Sequence, residues 1–240
     1  MSMFPMLKRL QIWRNDVHLE IIAASTDFPP LTELVIHCDN PAPMMIILDR
    51  CSRSLRHVSL AYTQALVDND QAALKTLPNL RFLSLRNTMR PYRALPSRFT
   101  RVGPNLEFYY GYGIVAPPSG SYNVTGLGLD QRHDLSNFSK LKLLYIDHRN
   151  NSLILDIVRD LNDRPWLCPG LRHVLIGGSR SLLKEARELL DQRTKNTGQK
   201  VDLEWLSTPN DLLDWWKKTM HLDRHQSCHL NKNKTFVQMS

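Results

Sequence analysis

The sequence predicts an α/β fold assembled as a solenoid of short repeats, with a parallel sheet on one side and irregular helices on the other. Three observations predict it. An apolar-x-x-Leu-x-x-Leu-x-Leu/Ile pattern recurs at residues 4–12, 28–36, 77–85 and 138–146, with weaker copies at 55–60, 104–109 and 168–176. Taking the first core leucine of each copy as an anchor gives Leu7, Leu31, Leu55, Leu80, Leu106, Leu141 and Leu171, so the first four steps are 24, 24, 25 and 26 residues. The segments between copies carry helical signals. Steps of this length fall in the range of a leucine-rich repeat, in which each unit is one strand plus a return segment and buries its leucines only by stacking on its neighbours. A horseshoe follows, with the parallel sheet on its concave side.

In Leu7-x-x-Leu10-x-Ile12 the last two apolar residues alternate, so they share the inward face of a strand. The same reasoning applies to every later copy. Return helices are expected at Asp16–Ala24, Pro43–Cys51, Thr63–Thr76, Asn151–Asp163 and Ser179–Asn196. The last is the clearest: Leu182, Leu183, Ala186, Leu189 and Leu190 form a helical stripe, Ser179 or Ser181 can cap it, and Gly198 can end it. Thr208-Pro209-Asn210-Asp211 opens a further helix after the strand-like segment 201–206. The expected organisation is a repeat array of seven to eight units over 1–206, a C-terminal capping helix over 207–221, and a polar, basic, flexible tail over 222–240. The glycine- and proline-rich segment 111–137 reads as a long loop that fills the 35-residue step between Leu106 and Leu141. Residues 4–13 would form a terminal strand with one unpaired edge.

Composition bounds the function. With 42% apolar residues, 240 residues make one folded unit. The longest pure apolar run, Met44–Leu48, is far too short for a bilayer, and Lys8 and Arg9 interrupt the first apolar stretch, so neither membrane insertion nor a signal peptide is expected. Four cysteines without paired spacing fit a reduced, intracellular protein, cytoplasmic or nuclear. Half of the net charge of +8 lies in the tail, where Lys217, Lys218, Arg224, Lys232 and Lys234 face only Asp223. The remainder is scattered beside repeat leucines, which disfavours a nucleic-acid surface. His221, His225, Cys228 and His229 match no zinc-site spacing, the Gly111–Ser121 stretch lacks a phosphate-loop ending, and no nucleophile elbow is present. No catalytic residue, cofactor or metal site is therefore assigned, and the protein is not expected to be an enzyme.

Register locates a partner site. Outward strand positions fall two, four and six residues after each anchor, and in the middle of the array they hold Phe82, Phe108, Tyr110, Tyr112 and Tyr145, with Arg86 beside them. Aromatic residues and arginine dominate binding hot spots, so these residues, with Trp13 and His37, are the candidate protein-binding surface of the concave face. The competing reading has segment 111–137 folded over the rings; the site would then shift toward Trp13, His37 and Arg86.

Cores such as Leu-Pro-Asn-Leu-Arg-Phe-Leu-Ser-Leu at 77–85 and Cys-Pro-Gly-Leu-Arg-His-Val-Leu-Ile at 168–176 resemble the repeats of F-box leucine-rich-repeat proteins, particularly the divergent fungal ones, over about residues 4–206. The resemblance implies a substrate adaptor of a cullin-type ubiquitin ligase whose repeats hold the protein to be ubiquitinated. Because the first core begins at Phe4, no F-box is expected ahead of it, and any link to the ligase would be indirect. A stand-alone repeat scaffold or inhibitor is the alternative.

Overall fold

A computed structural model describes residues 6–13, 16–25, 28–62, 77–87, 105–112, 123–147, 151–177, 179–220 and 238–239. The chain is α/β. Its strands are β1 (Arg9–Trp13), β2 (Glu33–Cys38), β3 (His57–Tyr62), β4 (Phe82–Asn87), β5 (Phe108–Tyr112), β6 (Gly126–Leu129), β7 (Leu143–Ile146), β8 (His173–Ile176), β9 (Asp202–Trp205) and β10 (Gln238–Met239). They form one sheet, parallel at every pairing, in which β1 to β9 lie side by side in chain order. The two-residue β10 pairs with the outer edge of β1, so the terminal edge expected to be bare is partly closed.

The alternation read from the sequence sets the packing. Leu10, Leu34, Val58, Leu83, Tyr109, Leu127, Leu144, Val174 and Leu203 stand in one register column, and all point into a continuous core. That core is closed by helices α1 (Asp16–Ala24), α2 (Pro41–Cys51), α3 (Asn151–Asp163) and α4 (Leu183–Thr197), with α1 packed beside α2 and α3 beside α4. Local chemistry fixes their ends. The Asn40 side chain accepts the Ala42 N–H at 3.0 Å and Pro41 opens α2. Ser179 caps the short 3-10 turn that leads into α4, and Gly198, at φ 71°, ends α4 in the left-handed conformation that glycine tolerates best. The expected helix at Thr63–Thr76 lies outside the described residues, as do the histidine-bearing tail residues 221–237.

Segment 111–137 departs from its reading as a loop. It contains β6 and a 3-10 turn at Leu135–Asn137. Val124-x-x-Leu127-x-Leu129 is a further repeat core, so the 35-residue step is really two steps, 106 to 124 and 124 to 141. Its glycines hid it. A Cβ on Gly128 would stand 2.5 Å from the Tyr110 ring, and one on Gly126 would collide with Phe108. These glycines leave the room into which two large neighbouring rings lean. No helix among the described residues is long and apolar enough to cross a membrane.

Candidate functional site

The sheet face opposite the repeat core holds the predicted outward positions, in the predicted register. Two residues after the anchors run Arg9, Glu33, His57, Phe82, Phe108, Leu143 and His173, one per strand, and the structure adds Gly126 and Asp202 to the row. Two residues further on, Ser84, Tyr110, Gly128, Tyr145 and Leu175 lie on adjacent strands. The rings do make one surface: Phe82 and Phe108 stack at 4.7 Å with planes 8° apart, and Tyr110 meets Tyr145 edge-on at 5.2 Å.

That surface is not open to solvent. Phe82, Phe108, Tyr110 and Tyr145 are each 0% exposed, which corrects their reading as a solvent-facing binding patch. The last helix, α5 (Leu212–Met220), packs on this face, with Trp216 against Phe82 and the other rings in the same apolar cluster. Leu212, Leu213 and Trp216 form its buried side and complete a second apolar core with the rings and with Val35, Leu143 and Leu175. Trp216 contacts the Phe82 ring at 5.3 Å and His57 edge-on at 5.6 Å. A helix expected to cap the end of the array instead covers its face.

Polar contacts fix α5 at both sides of the sheet. Arg9 on β1 donates to Asp214 at 2.9 Å, and Lys217 donates to Glu33 on β2. At the other side Trp215 donates its indole N–H to Glu204 on β9 at 2.9 Å and meets His173 edge-on. Ahead of the helix, Thr208 accepts the Asn210 N–H, and Asn210 in turn accepts from Arg86 at 3.2 Å. These contacts join α5 to the first, second and ninth strands, and the turn ahead of it to the fourth.

Burial sets the protonation states. Desolvation raises the Glu33 carboxyl, but His57 and Lys217 outweigh it and hold it at about 2, below its ordinary 4.5. Because the folded value is depressed, the stabilisation is complete above pH 4.5 and is lost as the pH falls toward 2. Glu33→Gln should therefore flatten the acid limb of a stability–pH curve in that window; an acid limb as steep as that of the unmodified protein would contradict the ion pair. Burial also pushes the Tyr110 phenol up, as does Asp147, whose carboxylate accepts the Tyr110 O–H at 2.5 Å. Tyr145 is raised by the same two causes. Both phenols are held in the neutral form, and Tyr110 donates its O–H to Asp147.

The remaining candidates fare differently. Trp13, His37, Arg86 and Tyr112 are only partly buried. Together with Ala61 they form one register row across β1 to β5, at the carboxyl ends of the strands, and Trp13 meets His37 edge-on at 6.1 Å. Trp13 and Tyr112 pack against the margin of the second core. The structure therefore divides the eight candidates into four sealed rings and four rim residues.

Cys38, Cys51 and Cys168 are free and buried, and burial pushes the Cys38 thiol up to about 12 and the Cys168 thiol to about 11, which suppresses the reactive thiolate. Among the described residues no three of His, Cys, Asp or Glu converge as metal ligands. The chain matches no protein-family model and no curated protein sequence.

Proposed function

We propose that this chain is a non-catalytic, protein-binding leucine-rich-repeat module, the substrate-recognition part of an F-box-type ubiquitin-ligase adaptor that holds its partner at the carboxyl rim of the sheet. One observation supports this reading above the others. With the inner rings buried, Trp13, His37, Arg86 and Tyr112 remain partly exposed in a single row at the ends of adjacent strands. Tryptophan, tyrosine and arginine are the residue types most enriched among hot spots. Packing on the second core holds the two aromatic side chains from below, and Asn210 orients Arg86. Such preorganised side chains bind with little loss of conformational entropy.

The test is quantitative capture from native cells on immobilised protein, comparing the unmodified chain with Trp13→Ala/Tyr112→Ala. The captured partner should fall at least thirtyfold, matching an affinity loss of about 2 kcal/mol, while the melt changes little. Cullin-ligase subunits in the capture support the adaptor reading. Their absence, with a partner still lost from the variant, makes the chain a stand-alone scaffold or inhibitor. Equal capture by both proteins overturns the rim as the binding site.

A further inference from the structure

A row of cations runs along the opposite, amino-terminal end of the sheet. The residue just before each strand's outward positions donates its backbone N–H to the carbonyl of its counterpart one repeat earlier, an unbroken ladder from Lys8 to Arg172. The ladder stacks Lys8, Arg56, Arg81, Lys142 and Arg172 on one rim, and Arg53 joins them from the preceding turn. Between Lys8 and Glu107 the rim opens into a groove of about 530 Å³. Its neutral polar groups are already used by the backbone: Asn79 donates to the Arg53 carbonyl at 2.7 Å, Asn105 to the Pro78 carbonyl at 3.1 Å, and Ser54 to the Leu31 carbonyl at 2.7 Å. Arg81 is paired with Glu107 at 2.7 Å. Lys8, Arg53 and Arg56 are exposed, and no carboxylate among the described residues pairs with them.

We infer that this groove is a docking strip for an extended acidic segment of a partner protein. Charge complementarity carries the inference, because three uncompensated cations face one groove whose single acid is already paired. Parallel strands lie about 4.8 Å apart, so Lys8 to Arg81, three strand steps, spans about 14 Å, the length of four or five extended residues. Carboxylates spaced along such a segment can meet Lys8, Arg56 and Arg53 in turn. Single-stranded nucleic acid is the poorer fit, since no aromatic side chain lines the groove to stack a base. The chain's own basic tail is excluded by its sign of charge. The strip lies at the far end of the strands from the row of Trp13 and Tyr112 and does not depend on it.

Fluorescence anisotropy with a labelled deca-glutamate peptide tests the inference on the full chain. Saturable binding is expected, weakened at least tenfold by Arg53→Gln/Arg56→Gln and, independently, at least threefold by Lys8→Gln. Two variants with the same loss of charge, Lys184→Gln/Lys195→Gln on α4 and Lys232→Gln/Lys234→Gln in the tail, should change it less than twofold. No saturable binding, or equal losses in the control variants, overturns the strip. Tighter binding of a labelled oligoadenylate decamer, with the same dependence on Arg53 and Arg56, overturns the acidic peptide as its ligand.

Discussion

Trp216→Ala should cost about 3–5 kcal/mol of folding stability, among the largest losses from any single truncation in the protein. The side chain is 0% exposed and joins His57 and Phe82 on the sheet to Leu212 and Leu213 on α5. Its removal leaves a void in the smaller of two cores, where few other apolar groups can close in. Urea melts measure the loss, and a dye that reports exposed apolar surface should bind the variant as the Phe82, Phe108 and Tyr110 rings become accessible. The indole N–H of Trp216 has no hydrogen-bond partner among the described residues. Trp216→Phe keeps ring contact and deletes that donor, so it should lose much less. A loss below about 1 kcal/mol in the alanine variant would mean that α5 lies on the sheet without stabilising it.

The second large effect is expected at Arg193. This side chain is 1% exposed beneath α4 and donates to the carbonyls of Leu161, Leu167 and Cys168. Cys168 has φ of 50°, a left-handed conformation that costs a residue with a side chain, and Arg193 holds the turn that contains it. Arg193→Leu should destabilise the protein by about 3 kcal/mol or more, because buried acceptors would be left unpaired. Comparing its urea midpoint with that of Lys195→Leu, on the exposed side of the same helix, checks the claim. Equal losses would rule out the buried network as the cause.

Much of this was legible in the residues. The inward leucines gave the strand register, and that register gave the outward columns correctly from Arg9 to His173. Three things were hidden, each for a physical reason. Glycine at 126 and 128 masks the β6 repeat core, since glycine is poor in strands and reads as a turn; the signal was the Val124-x-x-Leu127-x-Leu129 spacing beneath it. Arg193 looks like a solvated helix residue, because the carbonyls it serves come from 32 and 26 residues away. The cover over the rings was missed although its signal was present. Val35, Leu143 and Leu175 put aliphatic side chains on a face assumed to meet water, and Leu212, Leu213 and Trp216 gave the last helix an apolar side with nothing assigned to cover it. Two orphaned apolar surfaces in one chain are complementary until shown otherwise.

The placement of α5 also bears on how this chain folds. A linear array of repeats can zip up from any point, because each unit needs only its neighbours. Here Arg9 meets Asp214 across 205 residues of chain, and Lys217 meets Glu33 across 184. Closing contacts that far apart in sequence makes the search slower and couples the first strand to the last helix. During synthesis, the early strands would leave the ribosome with Phe82 and Phe108 uncovered and stay so until residue 216 emerged. The protein thus carries a period of vulnerability to aggregation that a purely nearest-neighbour stack of the same length would avoid.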